Sequence, residues 1–178
     1  MTTLTVTTTA DVVNASDGVL SLREAVQQAN ATAAADTIVF ANAIEGRTLV
    51  LTQGQLSLRA DVTIDGDSGH HGSTVTLDGH GTGRVLEVSG SGTDVALSHL
   101  GITHGHAAGN ADGGGVLVDA GNALQLQGCH LSDNVAGESS GTGVGGAIAT
   151  GAHVRLTITD SHLDDNRAFA AGGAIATR

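Results

Sequence analysis

The sequence predicts an all-β solenoid, a right-handed parallel β-helix of about four to five coils. Similar segments recur about every 30 residues, which is typical of solenoids and related arrays. Within each segment aliphatic and polar residues alternate, as in "VTI", "LEV" and "LTI". This alternation predicts short strands with one buried face. Glycine-rich stretches such as "DGHGTG" separate the strands and predict tight corners.

Residues 1–36 are predicted to form an N-terminal cap made of one strand and one amphipathic helix. The strand "TLTVTTT" is expected to join the first sheet. A helix is predicted over residues 21–33, with Ser21 as N-cap and Glu24 three residues later, the pattern of a capping box. One apolar stripe follows, formed by Leu22, Ala25, Val26 and Ala29. Because the end of a solenoid exposes unpaired strand edges, we expect this helix to cover the first coil.

Residues 37–178 are predicted to form the coils, because their repeats align in shared apolar columns. The columns are Val62, Val95, Leu124 and Leu156; Ile64, Leu97, Leu126 and Ile158; and Ile102, Leu131 and Leu163. A β-sandwich also has many short strands, but its strands would not align column by column over so long a period. The columns therefore favour coils stacked at about 4.8 Å.

Two further columns fall at predicted corners. Asn134 and Asn166 share one of them, where stacked amides can form a hydrogen-bonded ladder and asparagine tolerates left-handed backbone. Glycine pairs share the other, where a Cβ would clash as the backbone turns; the pairs are Gly113 and Gly114, Gly145 and Gly146, and Gly172 and Gly173.

The last residues, "GGAIATR", repeat the start of an earlier coil, "GGAIATG". This repetition predicts that another strand would follow. We therefore expect a fragment of a longer protein, or an open C-terminal end that pairs with another copy.

Composition and charge exclude several classes of partner. All seven basic residues are arginines and the net charge is -11, which makes nucleic acid an unfavourable partner. No run of 18 apolar residues occurs, so no membrane insertion is expected, and the N-terminus lacks the pattern of a signal peptide. The lone cysteine, Cys129, occupies the column in which Ser161 stands one repeat later, which predicts a small packing residue.

Two groups of residues are candidate metal ligands. His130 and His162 share a column, with Asp164 on the same face, so a metal ion could bridge adjacent coils; the alternative is two solvated histidines. The other histidine pairs, in "HGH" at residues 104–106 and "HH" at residues 70–71, fall in predicted turns.

Calcium is the second metal to consider. In "DGDSG", Asp65 and Asp67 resemble the start of a calcium loop, but Thr76 stands where the loop needs a bidentate glutamate. The alternative is a corner rich in turn-forming residues. We expect no cofactor, with Ca²⁺ as the alternative.

The residues give little support to catalysis. Cleavage of acidic polysaccharides needs a base, often Lys or Arg, and carboxylates that hold Ca²⁺. The chain has no Lys, and Arg84, Arg155 and Arg167 are predicted to face outward, with no repeated acidic partners except Asp164 and Asp165. Trp and Tyr, the usual platforms for sugars, are also absent.

Two motifs resemble known families. "GVLSLREAVQQAN" followed by "DTIVF" resembles the N-terminal segment of bacterial secreted β-helix proteins with the consensus CSLREA; residues 21–25 match, and Leu20 replaces the Cys. "GGAI" with "LxxN" is similar to the repeats of chlamydial-type polymorphic outer membrane proteins, with Leu131 and Leu163 in place of Phe. These resemblances imply a large extracellular or surface-attached protein, often an adhesin or autotransporter passenger, and imply no catalytic residues.

Two functions follow from these observations. The favoured one is a non-enzymatic structural or adhesive module, the capped N-terminal part of a large secreted or surface-displayed bacterial β-helix protein. Its partner would be a host surface, an abiotic surface or a glycan, and its location would be extracellular or at the bacterial cell surface. The alternative is the N-terminal part of a polysaccharide lyase or epimerase whose catalytic coils lie beyond residue 178.

Overall fold

The fold is an all-β parallel solenoid of about six turns that contains one short helix within the described part of the chain. The structure is a computed structural model that describes residues 1–69, 72, 74–139 and 141–178. The strand pairings run parallel in every sheet. The predicted solenoid is therefore confirmed.

The described residues form nineteen short strands and one helix. In chain order these are β1 (Thr3–Val6), α1 (Leu22–Asn30), β2 (Asp36–Phe40), β3 (Thr48–Val50), β4 (Leu56–Leu58), β5 (Val62–Asp65), β6 (Val75–Asp78), β7 (Leu86–Val88), β8 (Asp94–Ser98), β9 (Leu100–Thr103), β10 (His106–Ala107), β11 (Val116–Val118), β12 (Ala123–Gln127), β13 (His130–Ser132), β14 (Val135–Ala136), β15 (Ile148–Thr150), β16 (Arg155–Thr159), β17 (His162–Asp164), β18 (Arg167–Ala168) and β19 (Ile175–Thr177).

These strands stack into four sheets that follow one another around each full coil. Sheet 1 has the order β1-β2-β5-β8-β12-β16 and sheet 2 the order β3-β6-β9-β13-β17. Sheet 3 contains only β10-β14-β18, and sheet 4 has the order β4-β7-β11-β15-β19. The repeats predicted four to five coils, whereas sheet 1 stacks six strands. Its first strand, β1, pairs with β2 although it lies before the aligned repeats, which accounts for the extra layer.

The interior consists of the aliphatic columns that the repeats predicted. Leu124 pairs in register with Val95 on one side and Leu156 on the other, and Leu131 lies between Ile102 and Leu163. Alternate residues of these strands are buried, because successive side chains of a strand point to opposite faces. Phe40 is the one phenylalanine in the buried core of the described residues.

The helix α1 packs against β1, β2 and β4, next to the first turns of the solenoid. It begins after Ser21 as predicted, but it ends at Asn30 rather than at residue 33. The Thr32 hydroxyl donates a hydrogen bond to Asp36 Oδ2 at 2.6 Å, which fixes the chain in its approach to β2. In the described part of the chain, no helix reaches the length and apolarity that a bilayer crossing requires.

The glycine column lies at the corner before sheet 4, as the repeats predicted. Gly113, Gly145 and Gly172 have φ values of 65°, 68° and 63°, the left-handed region that favours glycine. In the first two pairs the second glycine lies against the backbone of the following turn: Gly114 donates its N–H to the Gly145 carbonyl at 3.2 Å, and Gly146 to the Gly172 carbonyl at 3.1 Å. A Cβ at Gly146 would collide with the carbonyl of Gly173 and with the backbone of Arg167.

Gly146→Ala should therefore destabilise the solenoid by about 1–3 kcal/mol, the usual cost of overpacking a well-packed site. Urea unfolding followed by circular dichroism measures this cost, since the chain has neither Trp nor Tyr for fluorescence. Gly83→Ala is the matched control, because a Cβ at Gly83 meets no atom within 4 Å. Equal stability of the two variants would contradict the steric role of the column.

Candidate functional site

Ser21 and Glu24 are joined in a complete capping box at the start of α1. The Ser21 hydroxyl accepts a hydrogen bond from the Glu24 N–H at 3.1 Å, and Glu24 Oε2 accepts one from the Ser21 N–H at 2.9 Å. Glu24 Oε1 also accepts from the Asn14 N–H at 2.7 Å. Hydrogen bonds from the Ser21 and Asn14 backbone lower the pKa of Glu24 from its usual range. The box therefore fixes the helix and the preceding loop together.

The predicted apolar stripe of α1 faces the solenoid. Its members are all buried: Leu22, Ala25, Val26 and Ala29. Their burial ties the helix to the aliphatic core, where they join the same cluster as the first columns.

Arg23 is a residue of this segment that the sequence reasoning missed. Its guanidinium binds Asp11 through two hydrogen bonds of 2.7 and 3.0 Å and also donates to the Gly54 and Gln55 carbonyls. Burial alone would raise the pKa of Asp11, but the hydrogen bonds from Arg23 and Gln53 outweigh it and lower that pKa. The arginine of "SLREA" was the available signal, since a basic residue in the first helical turn opposes the helix dipole and needs an acidic partner.

Asn134 is fully buried and forms the predicted ladder with Asn166. Asn134 Nδ2 donates to Asn166 Oδ1 at 3.0 Å and to the Ile102 carbonyl at 2.9 Å, while Asn134 Oδ1 accepts from the Gly105 N–H at 2.9 Å. Asn166 repeats the pattern one turn later by donating to the Leu131 carbonyl at 2.8 Å. The two amides thus satisfy backbone groups of two successive turns.

His130 and His162 lie opposite each other on β13 and β17, as their shared column predicted. Their ring centroids are 6.3 Å apart, and His130 Nε2 lies 3.0 Å from Asp164 Oδ2. All three side chains are exposed. Among the described residues, no three His, Cys, Asp or Glu side chains converge as metal ligands. A metal site at this column stays a prediction.

The two carboxylates considered for calcium take part in hydrogen bonds within the loop after β5 and with the next coil. Asp65 Oδ1 is 3.0 Å from His99 Nδ1 and accepts a hydrogen bond from the Asp67 N–H at 3.2 Å. Asp67 Oδ2 accepts from the Gly72 N–H at 2.9 Å. Binding of Ca²⁺ here also stays a prediction. His70 and His71, in the same predicted turn, lie outside the described residues.

Histidine and aspartate occupy several left-handed corners, which the sequence reasoning assigned to glycine and asparagine. His99 and Asp160 have φ values of 52° and 49°, on either side of Gly128 at 60° in the same column. His104 has φ 50°, and its Nδ1 lies 3.2 Å from Asp78 Oδ1 of the preceding turn. These residue types enter the left-handed region more readily than most others.

Cys129 is buried in the core, as predicted. Its thiol lies 3.4 Å from the Leu97 carbonyl oxygen, and its N–H donates to Ser161 Oγ at 3.0 Å. Burial raises the pKa of the Cys129 thiol, so the neutral form is favoured. This environment is that of a packing residue and not of a nucleophile.

Arg84 and Arg155 have acidic partners that the sequence reasoning did not find. Arg84 lies 3.8 Å from Glu87 and is largely buried; it donates to the Asp112 and Gly113 carbonyls at 2.7 and 2.9 Å. Arg155 Nη2 lies 3.1 Å from Asp94 Oδ1 on the solenoid surface. Arg84 acts as a clamp between turns, because its donors are used by neighbouring backbone.

The outer face of sheet 1 carries a groove of about 350 Å³. Its floor is formed by the outward positions of four strands, Thr63, Ala96, Gln125 and Thr157. Asp61, Asp94 and Arg155 line one side, where Asp61 Oδ1 accepts a hydrogen bond from the Asp94 N–H at 2.8 Å. These carboxylates, hydroxyls and amide can hydrogen-bond a polar ligand. Each aspartate directly precedes a column valine, in "DV" at 61 and at 94, and that repeat was the available signal.

Comparison with known proteins finds no matching family model, no matching curated protein and no matching solved structure.

The fold should lose stability as the pH falls below about 4.5. The ordinary pKa values of Glu24, Asp11 and Asp36 are 4.5, 3.8 and 3.8, and all three are lowered in the fold. For Asp36 the hydrogen bond from the Thr32 hydroxyl is the main cause. A lowered pKa stabilises the fold above the ordinary value, and this stabilisation is lost as the pH falls through the folded value.

Glu24→Gln should lower stability at pH 7 and flatten its dependence on acid, since the amide cannot titrate. Urea midpoints measured between pH 7 and pH 3 test this expectation. Glu138→Gln, at an exposed loop position, is the control. An unchanged acid dependence in Glu24→Gln would contradict the role of the capping box.

Asn134→Ala should destabilise the solenoid by about 3 kcal/mol, because buried backbone groups of Gly105 and Ile102 lose their partner. Asn110→Ala, which removes an exposed amide that accepts from the Thr142 N–H, should cost far less. Equilibrium unfolding of both variants measures the difference, and similar losses would argue against the ladder as a stabilising element.

Proposed function

We propose that this chain is a non-enzymatic structural or adhesive module, the capped N-terminal part of a large secreted or surface-displayed bacterial β-helix protein. The single observation that carries the proposal is the way in which the N-terminal segment is built onto the first turns. The capping box and the Arg23 and Asp11 pair hold the segment together internally. The buried stripe of α1 and the hydrogen bonds from Arg23 to the Gly54 and Gln55 carbonyls fix it to the solenoid. A segment that is fixed in this way suits a permanent end to the stack.

Handedness and capping belong to this proposal. Parallel strands joined by crossover connections are right-handed in about 98% of cases, so the proposed solenoid is right-handed. The helix and β1 are proposed to close its first turn, which removes a sheet edge that would otherwise associate. The resemblance of "SLREA" and "GGAI" to secreted and surface-attached proteins supports the extracellular location. Association between copies through the last coil stays a prediction.

A host surface, an abiotic surface or a glycan is the proposed partner. A stack of coils presents the same outward positions turn after turn, as Thr63, Ala96, Gln125 and Thr157 do on sheet 1. Three of these four positions are polar, and a surface repeated in this way suits a broad contact with an extended partner.

The second candidate function is action on a carbohydrate, within a lyase or epimerase. The groove on sheet 1 favours it, because Asp61, Asp94 and Arg155 place two carboxylates and a guanidinium beside a polar floor. We rank it below the structural role because Arg155 and Asp94 are both exposed and paired with each other.

Fractionation of the producing cells tests the proposal. An antibody raised against this chain should detect the protein in the envelope or the medium, with a cytosolic enzyme as the marker for lysis. Detection in the cytosol alone would contradict the proposal.

The enzymatic alternative needs its own readout. Purified chain incubated with polygalacturonate or alginate should release neither unsaturated ends nor reducing ends. Release that Asp94→Asn abolishes would instead support the second function.

A further inference from the structure

A second concave surface lies on the outer face of sheet 3. It has a volume of about 480 Å³, within the range of small-ligand sites. We call it the Phe169 pocket; its lining includes His106, Val135, Glu138, Ser139, Arg167 and Phe169. None of these residues belongs to the groove on sheet 1.

Three turns of the solenoid build the base of the Phe169 pocket. His106, Val135 and Arg167 pair in register on β10, β14 and β18. They point outward because the next residue of each strand is an inward-facing alanine, as Ala136 shows by its complete burial. Two strand spacings separate the first position from the third, so the base extends about 10 Å along the stack.

Arg167 and Phe169 form one side of the pocket. The Arg167 guanidinium carbon lies 4.3 Å from the centroid of the Phe169 ring, a cation–π contact that holds both side chains in place. The chain has two phenylalanines, and Phe40 is buried in the core. Phe169 is instead partly exposed and lines the pocket. An aromatic ring held in this way is a preformed contact surface.

The loop after β14 forms the opposite side. Glu138 and Ser139 are exposed in this loop. The Glu138 carbonyl accepts a hydrogen bond from the Gly141 N–H at 2.7 Å, and the Thr142 N–H donates to Asn110 Oδ1 of the preceding turn at 3.1 Å. These bonds hold the loop to itself and to the preceding coil, and Glu138 and Ser139 line the pocket together with Arg167 and Phe169.

We propose that the Phe169 pocket binds a neutral polysaccharide. A sugar ring has an apolar C–H face and a rim of hydroxyl groups. Phe169 and Val135 offer apolar surface for the face, while Arg167, Glu138 and Ser139 offer donors and acceptors for the hydroxyls. The pocket thus combines apolar surface from Val135 and Phe169 with polar groups on neighbouring residues.

Charge decides between neutral and acidic sugars. One arginine and one glutamate line the pocket together with His106, so the lining carries no excess of one charge that would select an acidic sugar. The chain as a whole has a net charge of -11 and repels a polyanion. This inference rests on the proposed adhesive function and supplies its ligand class.

Affinity electrophoresis tests the inference with soluble starch, mixed-linkage β-glucan and galactomannan as neutral probes and polygalacturonate as the acidic one. At least one neutral probe should retard the chain. Phe169→Ala and Arg167→Ala should each weaken that binding by about tenfold, the effect of losing one good contact or one charge-assisted hydrogen bond. Arg47→Ala, an exposed arginine outside the pocket, should bind as the unaltered chain does. Circular dichroism checks that each variant is folded. Glu138→Gln changes a pocket residue in the loop after β14, so it tests the pocket without altering a strand.

Three results would overturn the inference: no retardation by any neutral probe, retardation by polygalacturonate alone, or binding that Arg155→Ala abolishes while Phe169→Ala and Glu138→Gln leave it unchanged. The last result would assign the sugar to the groove on sheet 1. The result of the glycan-binding test can be distinguished from the result of cell fractionation, which tests the proposed function. A chain found in the envelope that binds no neutral glycan overturns only the pocket, and a cytosolic chain that binds one overturns only the surface role.

Discussion

The rest of the structure depends on the register between successive turns. In three of the four sheets each strand is three to five residues long. Such a short strand buries its inner face only if the neighbouring turns place aliphatic residues at the same register positions. Leu131, for example, is fully buried because Ile102 and Leu163 lie at the same position in the turns on either side. A slip of one residue would turn that face to solvent. Corners, ladders and the N-terminal helix all serve to hold this register.

Polar groups hold the register where aliphatic packing cannot. Asn134 and Arg84 both bind backbone of neighbouring turns, and they do so at corners where the strands end. Corner residues such as His99 and His104 take left-handed backbone and place their rings 3.0 to 3.2 Å from aspartates of the preceding turn. Among the described residues, His99, His104 and His130 thus link successive turns through aspartates.

The sequence allowed the fold to be predicted well, because a period of two and a recurring column are local signals. The apolar columns, the capping box and the Asn134 and Asn166 pair all followed from residue type and spacing. Contacts set by the packing of distant segments were missed: Asp11 with Arg23, and Asp94 with Arg155. Phe169 was missed for a different reason. The sequence reasoning looked for Trp and Tyr as sugar platforms, and a single phenylalanine in a repeat that otherwise lacks aromatics has no spacing to mark it.

The near-identity of the last two turns affects how the chain can reach its fold. β15 and β19 have the same three residues, Ile-Ala-Thr, each preceded by the same glycine pair. Either strand therefore offers β11 an equally good partner, and the energy landscape contains a trap in which a whole turn is skipped. The first strands differ from one another and offer no such degeneracy. During synthesis from the N-terminus, β15 can pair with β11 before β19 has been made. The order of synthesis therefore selects the correct pairing, although the sequences of the two strands do not.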